Sequence, residues 1–200
     1  MKRIIGITGG IASGKSNVSK ILSELGYKTL SADTIAKELS FIGMPIYELV
    51  KNEFGKEYIL PNGNIDRTKV AELIFSNDEA RQKLNKLSHP LIKEALINRI
   101  KKIEDSVIFI EIPLLYESKF DDLCNSVICV YLPNDIQKER LAIRDNLTKE
   151  EAQRRIDCQM PLEQKAQLAE YIVDSRGSID ETRMQVNRIL ERILEDEQSN

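Results

Sequence analysis

A short pattern of glycines, one lysine and one serine near the start of the chain is suited to holding phosphate. Residues 9–16 read GGIASGKS and fit the spacing G-x-x-x-x-G-K-S/T. In a loop of this kind, backbone N–H groups surround a phosphate, and the start of the following helix adds partial positive charge. The lysine reaches the β- and γ-phosphates, and the serine hydroxyl ligates Mg²⁺. This motif, called the P-loop below, predicts nucleotide binding by Gly10, Ile11, Ala12, Ser13, Gly14, Lys15 and Ser16.

A P-loop indicates nucleotide binding but does not define a reaction. A GTPase is one option, because residues 174–177 (DSRG) match D-x-x-G, but they follow the last apolar segment instead of an early one. Residues 85–88 (NKLS) lack the acidic residue that a guanine-reading motif needs. Motor and helicase ATPases require a longer chain than 200 residues. A small kinase is therefore the better class.

A kinase also needs a group that orients the acceptor hydroxyl, and a carboxylate usually does this. Asp33 follows the second apolar segment, at the edge where parallel sheets bind ligands. Its position equally suits a residue that caps the next helix. The spacing alone leaves both interpretations open.

The elements that must position these residues follow from the apolar pattern. Short β-branched runs at 4–7, 27–30, 107–112, 127–132 and 171–173 predict strands that are buried on both faces. Segments with helical periodicity separate them, and one of these ends at Gly26. Thr148-x-x-Glu151 and Ser178-x-x-Glu181 predict capping boxes for two later helices. Alternating strands and helices indicate an α/β fold with a parallel sheet.

The segment 34–103 interrupts this alternation. It has helical patterns and a turn signal at 61–64 (PNGN), but no convincing core strand. We therefore expect an inserted helical subdomain between the second and third strands.

Length and composition narrow the class further. Two hundred residues suffice for one core and a small insertion. With 29 basic and 32 acidic residues, the net charge of −3 argues against a general nucleic-acid binder. Three cysteines suggest no disulfide framework and fit a reducing compartment. Apolar runs fall short of a membrane span, so we expect a cytoplasmic protein without membrane association.

Beyond the generic P-loop, several segments are more specific. They are AD at 32–33, HPLI at 89–92, PLLYE at 113–117, RL at 140–141, RD at 144–145 and the pattern I-x-D at 172–174. With these segments, the chain resembles the dephospho-CoA kinase family from residue 5 to about residue 177. This resemblance implies an ATP-dependent enzyme that phosphorylates the ribose 3′-hydroxyl of dephospho-CoA, giving coenzyme A and ADP in the last step of coenzyme A biosynthesis.

The resemblance also implies an architecture. It is a P-loop NTPase fold with a five-stranded parallel sheet in the order 2-3-1-4-5, an inserted helical substrate subdomain and a helical lid. The chain would be a single domain over 1–200, with a core at about 1–33, 104–134 and 170–200. The CoA-binding subdomain would span about 34–103, and the lid about 135–169. The partners would be ATP and dephospho-CoA, and the protein a monomer or small homo-oligomer.

Residue roles follow from the same resemblance. Asp33 would be the catalytic carboxylate, assisted by Lys15 and Arg140, while Arg144 and Asn17 would bind ATP. Arg140 and Arg144 could instead belong to a solvated helix face, because acidic residues are interleaved with them.

The remaining candidates concern the acceptor and the metal. Arg67, His89 and Leu114 would bind the acceptor substrate, although Arg67 could instead form a structural salt bridge and a lone His before Pro often ends a helix. Glu111 ends an apolar strand, where a carboxylate can hold a water of the Mg²⁺ shell, so Ser16 and Glu111 are the metal candidates.

Four positions depart from the family pattern. Ala12 stands where glycine is usual, which would cost about 1 kcal/mol if that position has a positive φ. Asn17 replaces a threonine, Ser31 the first aspartate of Asp-Ala-Asp, and Ser175 an asparagine near the adenine. Two alternatives stay open: a P-loop kinase for another small hydroxyl or nucleotide acceptor, and a nucleotide-dependent switch protein without phosphoryl transfer.

Overall fold

Five strands form one sheet in this protein, whose computed structural model describes residues 2–198. The strands are β1 (Arg3–Gly9), β2 (Lys28–Ser31), β3 (Val107–Glu111), β4 (Ser126–Tyr131) and β5 (Tyr171–Asp174). Their order is β2-β3-β1-β4-β5, and the pairs β1–β3, β1–β4 and β4–β5 are parallel. This confirms the predicted fold class and strand order, and each strand lies within two residues of its apolar run.

Nine helices connect the strands in the described part of the chain. They are α1 (Lys15–Glu24), α2 (Ala32–Leu39), α3 (Pro45–Glu53), α4 (Arg67–Ser76), α5 (Asp78–Lys102), α6 (Asn134–Asp145), α7 (Lys149–Asp157), α8 (Leu162–Leu168) and α9 (Ile179–Gln198). Short 3₁₀ turns occupy Lys56–Tyr58 and Asp121–Leu123. None of the helices between residues 2 and 198 combines the length and apolar character that a bilayer span requires.

The chain divides into two compact units, and the first comprises residues 2–30 and 105–198. Its main core lies where α1 and α9 cover one face of the sheet, with Ile5, Val18, Phe109, Val130 and Val186 all buried. Cys129 lies in a second cluster, together with a leucine of α8. Because helices cover both faces, the strands are apolar almost without interruption.

The second unit, residues 31–104, is helical and contains α2 to α5. The predicted insertion, 34–103, lies within it. The predicted turn at 61–64 is confirmed, since the Gly63 N–H donates to the Leu60 carbonyl at 2.8 Å and Gly63 has a φ of +85°. A single antiparallel bridge joins Ile59 to Ile65 across this turn.

Both predicted capping boxes are present. The Thr148 side chain accepts from the Glu151 N–H at 3.2 Å, and the Glu151 carboxylate accepts from the Thr148 N–H at 2.8 Å. The Ser178 and Glu181 pair at the start of α9 does the same at 3.2 and 2.6 Å. These contacts satisfy N–H groups that a helix start otherwise leaves unpaired.

Substitution of Ser178 by alanine tests the capping box of α9. Ser178→Ala removes the acceptor for the Glu181 N–H, so we expect the free energy of unfolding to fall by about 1 kcal/mol. Urea denaturation followed by circular dichroism measures this change. Ser178→Asp keeps an acceptor and should stay near the parent; equal losses in the two variants would contradict the role assigned to the cap.

Candidate active site

The P-loop leaves the sheet at the end of β1 and enters α1 at Lys15. Gly14, just before the helix, has a φ of +91°, a conformation that glycine adopts without a steric penalty. The loop therefore turns sharply enough to join a strand to a helix, and its N–H groups gather at the helix start, as phosphate binding requires.

Ala12 also adopts a left-handed conformation, with a φ of +59°. The expected strain at this departure from the family pattern is therefore real, and it costs about 1 kcal/mol or more. Its methyl group packs against a cluster formed by Leu141, Ala152 and Ile156 of helices α6 and α7. This apolar contact offsets part of the strain and gives a reason for alanine at the position.

Three side chains from distant segments hold the main chain of the P-loop. Gln159 accepts from the Ile11 N–H at 3.0 Å, and buried Gln137 donates to the Ile11 carbonyl at 2.8 Å. The Ser175 hydroxyl donates to the Ser13 carbonyl at 2.7 Å. The loop is therefore positioned by side chains that lie more than 100 residues away from it in sequence, and these contacts hold its shape.

Lys15 is almost fully buried, and its ammonium group turns back onto the loop. Its Nζ donates to the carbonyls of Gly10 at 2.7 Å and Gly9 at 3.2 Å. The Ser13 hydroxyl is buried beside it and has no hydrogen-bond partner among residues 2–198. A phosphate group at this loop would compete with the two carbonyls for the Lys15 ammonium.

A cavity of about 330 Å³ adjoins the P-loop. It is lined by Ala12, Gly14, Lys15, Ser16, Asn17, Arg140 and Arg144. The sequence predicted six of these residues as nucleotide ligands and Arg140 as a catalytic residue, and the structure brings all seven together around one space. Three of them carry a positive charge, so the cavity suits a polyanion.

The two arginines of α6 in this cavity differ in their contacts. The Arg140 guanidinium donates to the Ser175 carbonyl at 3.0 Å, which directs it across the end of the P-loop. Arg144 pairs with Asp145 at 2.7 Å, and Arg155 pairs with the same carboxylate at 3.1 Å. The hydrogen bond from Arg144 is the main cause of the lowered pKa of Asp145. The pairing keeps Asp145 ionised, and this carboxylate in turn orients Arg144.

Glu111, at the end of β3, lies beside the P-loop serine. The Ser16 hydroxyl donates to Glu111 Oε1 at 3.3 Å, and the Ser19 hydroxyl donates to Oε2 at 2.7 Å. Oxygen ligands on one hydroxyl and one carboxylate are the chemistry that Mg²⁺ prefers, with phosphate and water supplying the rest. These residues therefore fit a magnesium ion. Among the described residues, no group of three or more His, Cys, Asp or Glu side chains could hold a metal by itself.

Asp33 belongs to the second unit and is exposed in the first turn of α2. Ser31 is the N-cap of this helix, and its hydroxyl accepts from the Thr34 N–H at 3.3 Å. The interpretation of Asp33 as the cap is therefore wrong. The serine that replaces an aspartate of the family pattern performs that role.

The remaining substrate candidates lie in both units. His89 is half-buried within α5, and burial lowers the pKa of its imidazole, which favours the neutral form at pH 7. The helix continues past Pro90 to Lys102, so the suggestion that this histidine ends a helix is wrong. Arg67 begins α4 and makes no ion pair with any residue in 2–198, so the structure shows no salt bridge there. Leu114 is half-buried in the turn after β3, in the first unit.

A buried ion pair that the sequence did not predict fixes this turn. Lys165 of α8 is fully buried, and its ammonium group contacts the Glu117 carboxylate and the Pro113 carbonyl, each at 2.7 Å. Glu117 also accepts from the Met160 N–H at 2.9 Å, while the Thr8 hydroxyl donates to the Pro113 carbonyl at 3.2 Å. The network joins the turn at 113–117 to the end of β1, immediately before the P-loop.

Sequence reasoning also missed the roles of Gln137 and Ser19. Gln137 occupies a helix start and Ser19 a helix interior, where a polar residue is normally a surface residue. The only sequence signal was the membership of Glu117 in the segment PLLYE quoted above. The partners of these residues became visible only in the folded structure.

The cysteines lie apart from this chemistry. All three are free thiols, and Cys129 is buried in β4. Burial raises the pKa of Cys129 to about 11, so its thiol stays protonated at neutral pH. A protonated thiol is a poor nucleophile.

The sheet order, the P-loop and the cationic cavity define a P-loop kinase fold. Shikimate kinase from Acinetobacter baumannii has the same fold, with a TM-score of 0.56 and 16% identity over 98% of this chain and 95% of that one. A structure of TT1252 from Thermus thermophilus is more similar, with a TM-score of 0.81 and 31% identity over 98% of this chain and 97% of the other.

The family follows from the sequence comparisons. The family model for dephospho-CoA kinase (CoaE) matches residues 3–181. A dephospho-CoA kinase of Carboxydothermus hydrogenoformans is 42% identical over 94% of this chain and 93% of its own length. The solved structure of a dephospho-CoA kinase from Campylobacter jejuni has a TM-score of 0.69 and 31% identity, over 96% of this chain and 98% of that one. The chain belongs to the dephospho-CoA kinase family, and the predicted resemblance and enzyme class are confirmed.

The buried ion pair can be tested by removing its cation. Lys165→Met leaves the Glu117 carboxylate, whose side chain is only 22% exposed, without its charged partner. We expect the free energy of unfolding to fall by about 3 kcal/mol, measured by urea denaturation. Adding Glu117→Gln should recover part of this loss, because a neutral amide is cheaper to bury.

Lys20→Met is the matched control, because Lys20 is exposed and pairs only with Glu24 on the helix surface. It should change the free energy of unfolding by less than about 0.5 kcal/mol. A Lys165→Met variant as stable as this control would refute the structural importance of the pair.

Proposed function

We propose that this chain transfers the γ-phosphoryl group of ATP to the ribose 3′-hydroxyl of dephospho-CoA, giving coenzyme A and ADP. Family membership supports the reaction class. The structural observation that carries the proposal is the cavity in which Lys15, Arg140 and Arg144 adjoin the P-loop. Three cations and a set of converging N–H groups match the charge of a triphosphate.

Lys15 and the loop amides bind the β- and γ-phosphates of ATP, and Asn17 donates its amide to a phosphate oxygen. Arg140 and Arg144 supply the guanidinium groups that stabilise charge on the transferring group. Because Arg140 is already directed by the Ser175 carbonyl, and Arg144 by Asp145, little side-chain entropy is lost when the phosphates bind.

Ser16 and Glu111 would hold a magnesium ion in this proposal, the first by its hydroxyl and the second by its carboxylate through a water. Bound Mg²⁺ supplies charge neutralisation between the β- and γ-phosphates. Ser19 keeps the Glu111 carboxylate in place through its 2.7 Å hydrogen bond.

Asp33 orients the acceptor hydroxyl and takes its proton. The 3′-oxygen forms a bond to the γ-phosphorus while the bond to the β–γ bridging oxygen breaks, and ADP leaves with that electron pair.

Arg67, His89 and Leu114 bind the acceptor, and the segment 34–103 is its subdomain. The helices of the segment 135–169 act as a lid that excludes water, which limits hydrolysis of ATP. We place the reaction in the cytoplasm, in keeping with three free thiols.

Replacing the carboxylate of Asp33 separates catalysis from ATP binding. Asp33→Asn keeps the shape of the side chain but removes its charge, so we expect kcat to fall at least about a hundredfold. The affinity for ATP, measured by isothermal titration calorimetry, should change less than about twofold, because the P-loop is intact. Asp78→Asn, in the first turn of α5, is the matched control and should keep full turnover. Parent-like turnover in Asp33→Asn would show that another group activates the hydroxyl.

One acceptor panel tests the activity itself. The protein is mixed with ATP, Mg²⁺ and either dephospho-CoA, AMP, shikimate or no acceptor, and ADP formation is measured. Strong stimulation by dephospho-CoA alone is the expected result. Preference for AMP or shikimate would point to a kinase for a different acceptor. Equal ADP formation without any acceptor would indicate a nucleotide-hydrolysing switch and end the proposal.

A further inference from the structure

A second cavity, of about 180 Å³, lies next to the P-loop cavity in the first unit. The two cavities share Gly14, Asn17 and Arg140, so a ligand whose phosphates lie in the first can extend into the second. An uncharged wall suits the base of a nucleotide better than its phosphates. The residues that line only this second space, called the base cavity below, are all uncharged: Ser175, Gly177, Ile179 and Thr182.

Ser175, which directly follows β5, uses its hydrogen-bonding groups within the protein. Its hydroxyl lies 2.7 Å from the Ser13 carbonyl oxygen and 3.0 Å from that of Tyr131. Its N–H also donates to the Tyr131 carbonyl, and its own carbonyl accepts from Arg140, each at 3.0 Å. A serine hydroxyl has one hydrogen, and here two main-chain carbonyls compete for it. With only 7% of the residue exposed, Ser175 is part of the framework and has no donor left for a base.

Other donors around the base cavity are also engaged. The Thr182 hydroxyl donates to the Ser178 carbonyl at 3.0 Å in the first turn of α9. In the loop between β5 and α9, the Arg176 N–H donates to the Asp174 carboxylate at 3.0 Å. The Ser178 N–H donates to the Glu181 carboxylate at 2.6 Å. The loop is therefore stabilised by its own main-chain donors, which are then not directed at a ligand.

The two purine bases differ at one edge, where adenine has an amino donor and guanine a carbonyl acceptor. A site that hydrogen-bonds such a group rejects the wrong ligand by a factor of about 10⁴ or more. The base cavity instead presents the apolar Ile179, which is 49% exposed, the bare main chain of Gly177 and the flat guanidinium group of Arg140. These surfaces pack equally well against either purine ring.

We infer that the base cavity accepts a purine by its shape, so that this chain binds GTP about as tightly as ATP, and that Ser175 positions the P-loop instead of reading the base. The inference rests on the proposed function and adds the class of phosphoryl donor. The Ser13 carbonyl that Ser175 holds immediately precedes Gly14 and Lys15, where the N–H groups for phosphate gather. Loss of the Ser175 hydroxyl therefore weakens binding of the phosphates, whatever base they carry.

The parent protein gives the first test, which needs no variant. The dissociation constants of the β,γ-imido analogues of ATP and GTP are measured by isothermal titration calorimetry, with Mg²⁺ and without an acceptor. We expect the two constants to differ by less than about fivefold, because the groups that could distinguish the bases are engaged within the protein. A larger difference would overturn the inference.

Removal of the Ser175 hydroxyl tests its positioning role. Ser175→Ala should weaken binding of the ATP analogue, of the GTP analogue and of inorganic tripolyphosphate, which has no base, by the same factor of about three to ten. Ser175→Thr keeps the hydroxyl and should bind all three ligands like the parent. Ser23→Ala is the matched control, because its hydroxyl donates to the Ser19 carbonyl within α1 at 3.0 Å and does not contact the P-loop. It should leave all three dissociation constants unchanged.

Two results in the variants would contradict the inference. If Ser175→Ala weakens binding of the ATP analogue but not of tripolyphosphate, Ser175 reads the base. If Ser175→Ala changes none of the three dissociation constants, its hydroxyl does not position the loop.

Turnover distinguishes this inference from the proposed function. With dephospho-CoA as acceptor, both ATP and GTP should support its phosphorylation. If ATP alone does so and the GTP analogue binds weakly, the inference fails and the proposed function stands. If both analogues bind equally well but neither triphosphate phosphorylates dephospho-CoA, the proposed reaction is wrong and the inference about the base cavity stands.

Discussion

The main chain of the P-loop is held by hydrogen bonds from side chains that are far away in the sequence. Gln137 and Gln159 fix both polar groups of Ile11, and Ser175 fixes the carbonyl of Ser13. A Gly-rich loop would otherwise lose more conformational entropy on ordering than any other kind of segment. The positions of the phosphate-binding amides, of Lys15 and of the start of α1 all depend on these bonds.

Helices α6, α7 and α8 belong to this arrangement as structural parts. Gln137 lies in the first turn of α6, Gln159 follows α7, and the methyl group of Ala12 packs against both helices. The Lys165 and Glu117 pair ties α8 to the turn after β3 and, through Pro113 and Thr8, to the strand that carries the P-loop. The positions of these helices and the shape of the P-loop are therefore coupled directly through hydrogen bonds and packing.

Most of the fold could be predicted from local patterns in the sequence. Buried parallel strands are continuous apolar runs, and both capping boxes have a fixed spacing, so the sequence contains them directly. The seven residues around the cavity beside the P-loop were also predictable, four from the motif, and Asn17 and the two arginines from family resemblance. The bounds of the strands shifted by one or two residues, because hydrogen bonding and not hydropathy decides where a strand ends.

The contacts that sequence reasoning missed are all long-range. Lys165 resembles any surface lysine until its partners, 48 and 52 residues earlier, are known. Likewise, nothing local distinguishes Ser31 as a cap from Asp33 as one, since both residue types suit the position. The packing of Ala12 against α6 and α7 was equally unpredictable, because the sequence shows only that an alanine stands where glycine is usual. Such roles depend on which segments meet in space.

The ammonium group of Lys15 has a further consequence through its bonds to the carbonyls of Gly9 and Gly10. A ligand that binds this ammonium group must interact with it more strongly than the two neutral carbonyl oxygens already do. A free nucleoside, whose oxygens carry no charge, cannot compensate for the broken bonds, whereas a polyphosphate chain can. The P-loop without a ligand thus selects for ligands with high negative charge. It favours ATP over an uncharged nucleoside, whichever base the two carry.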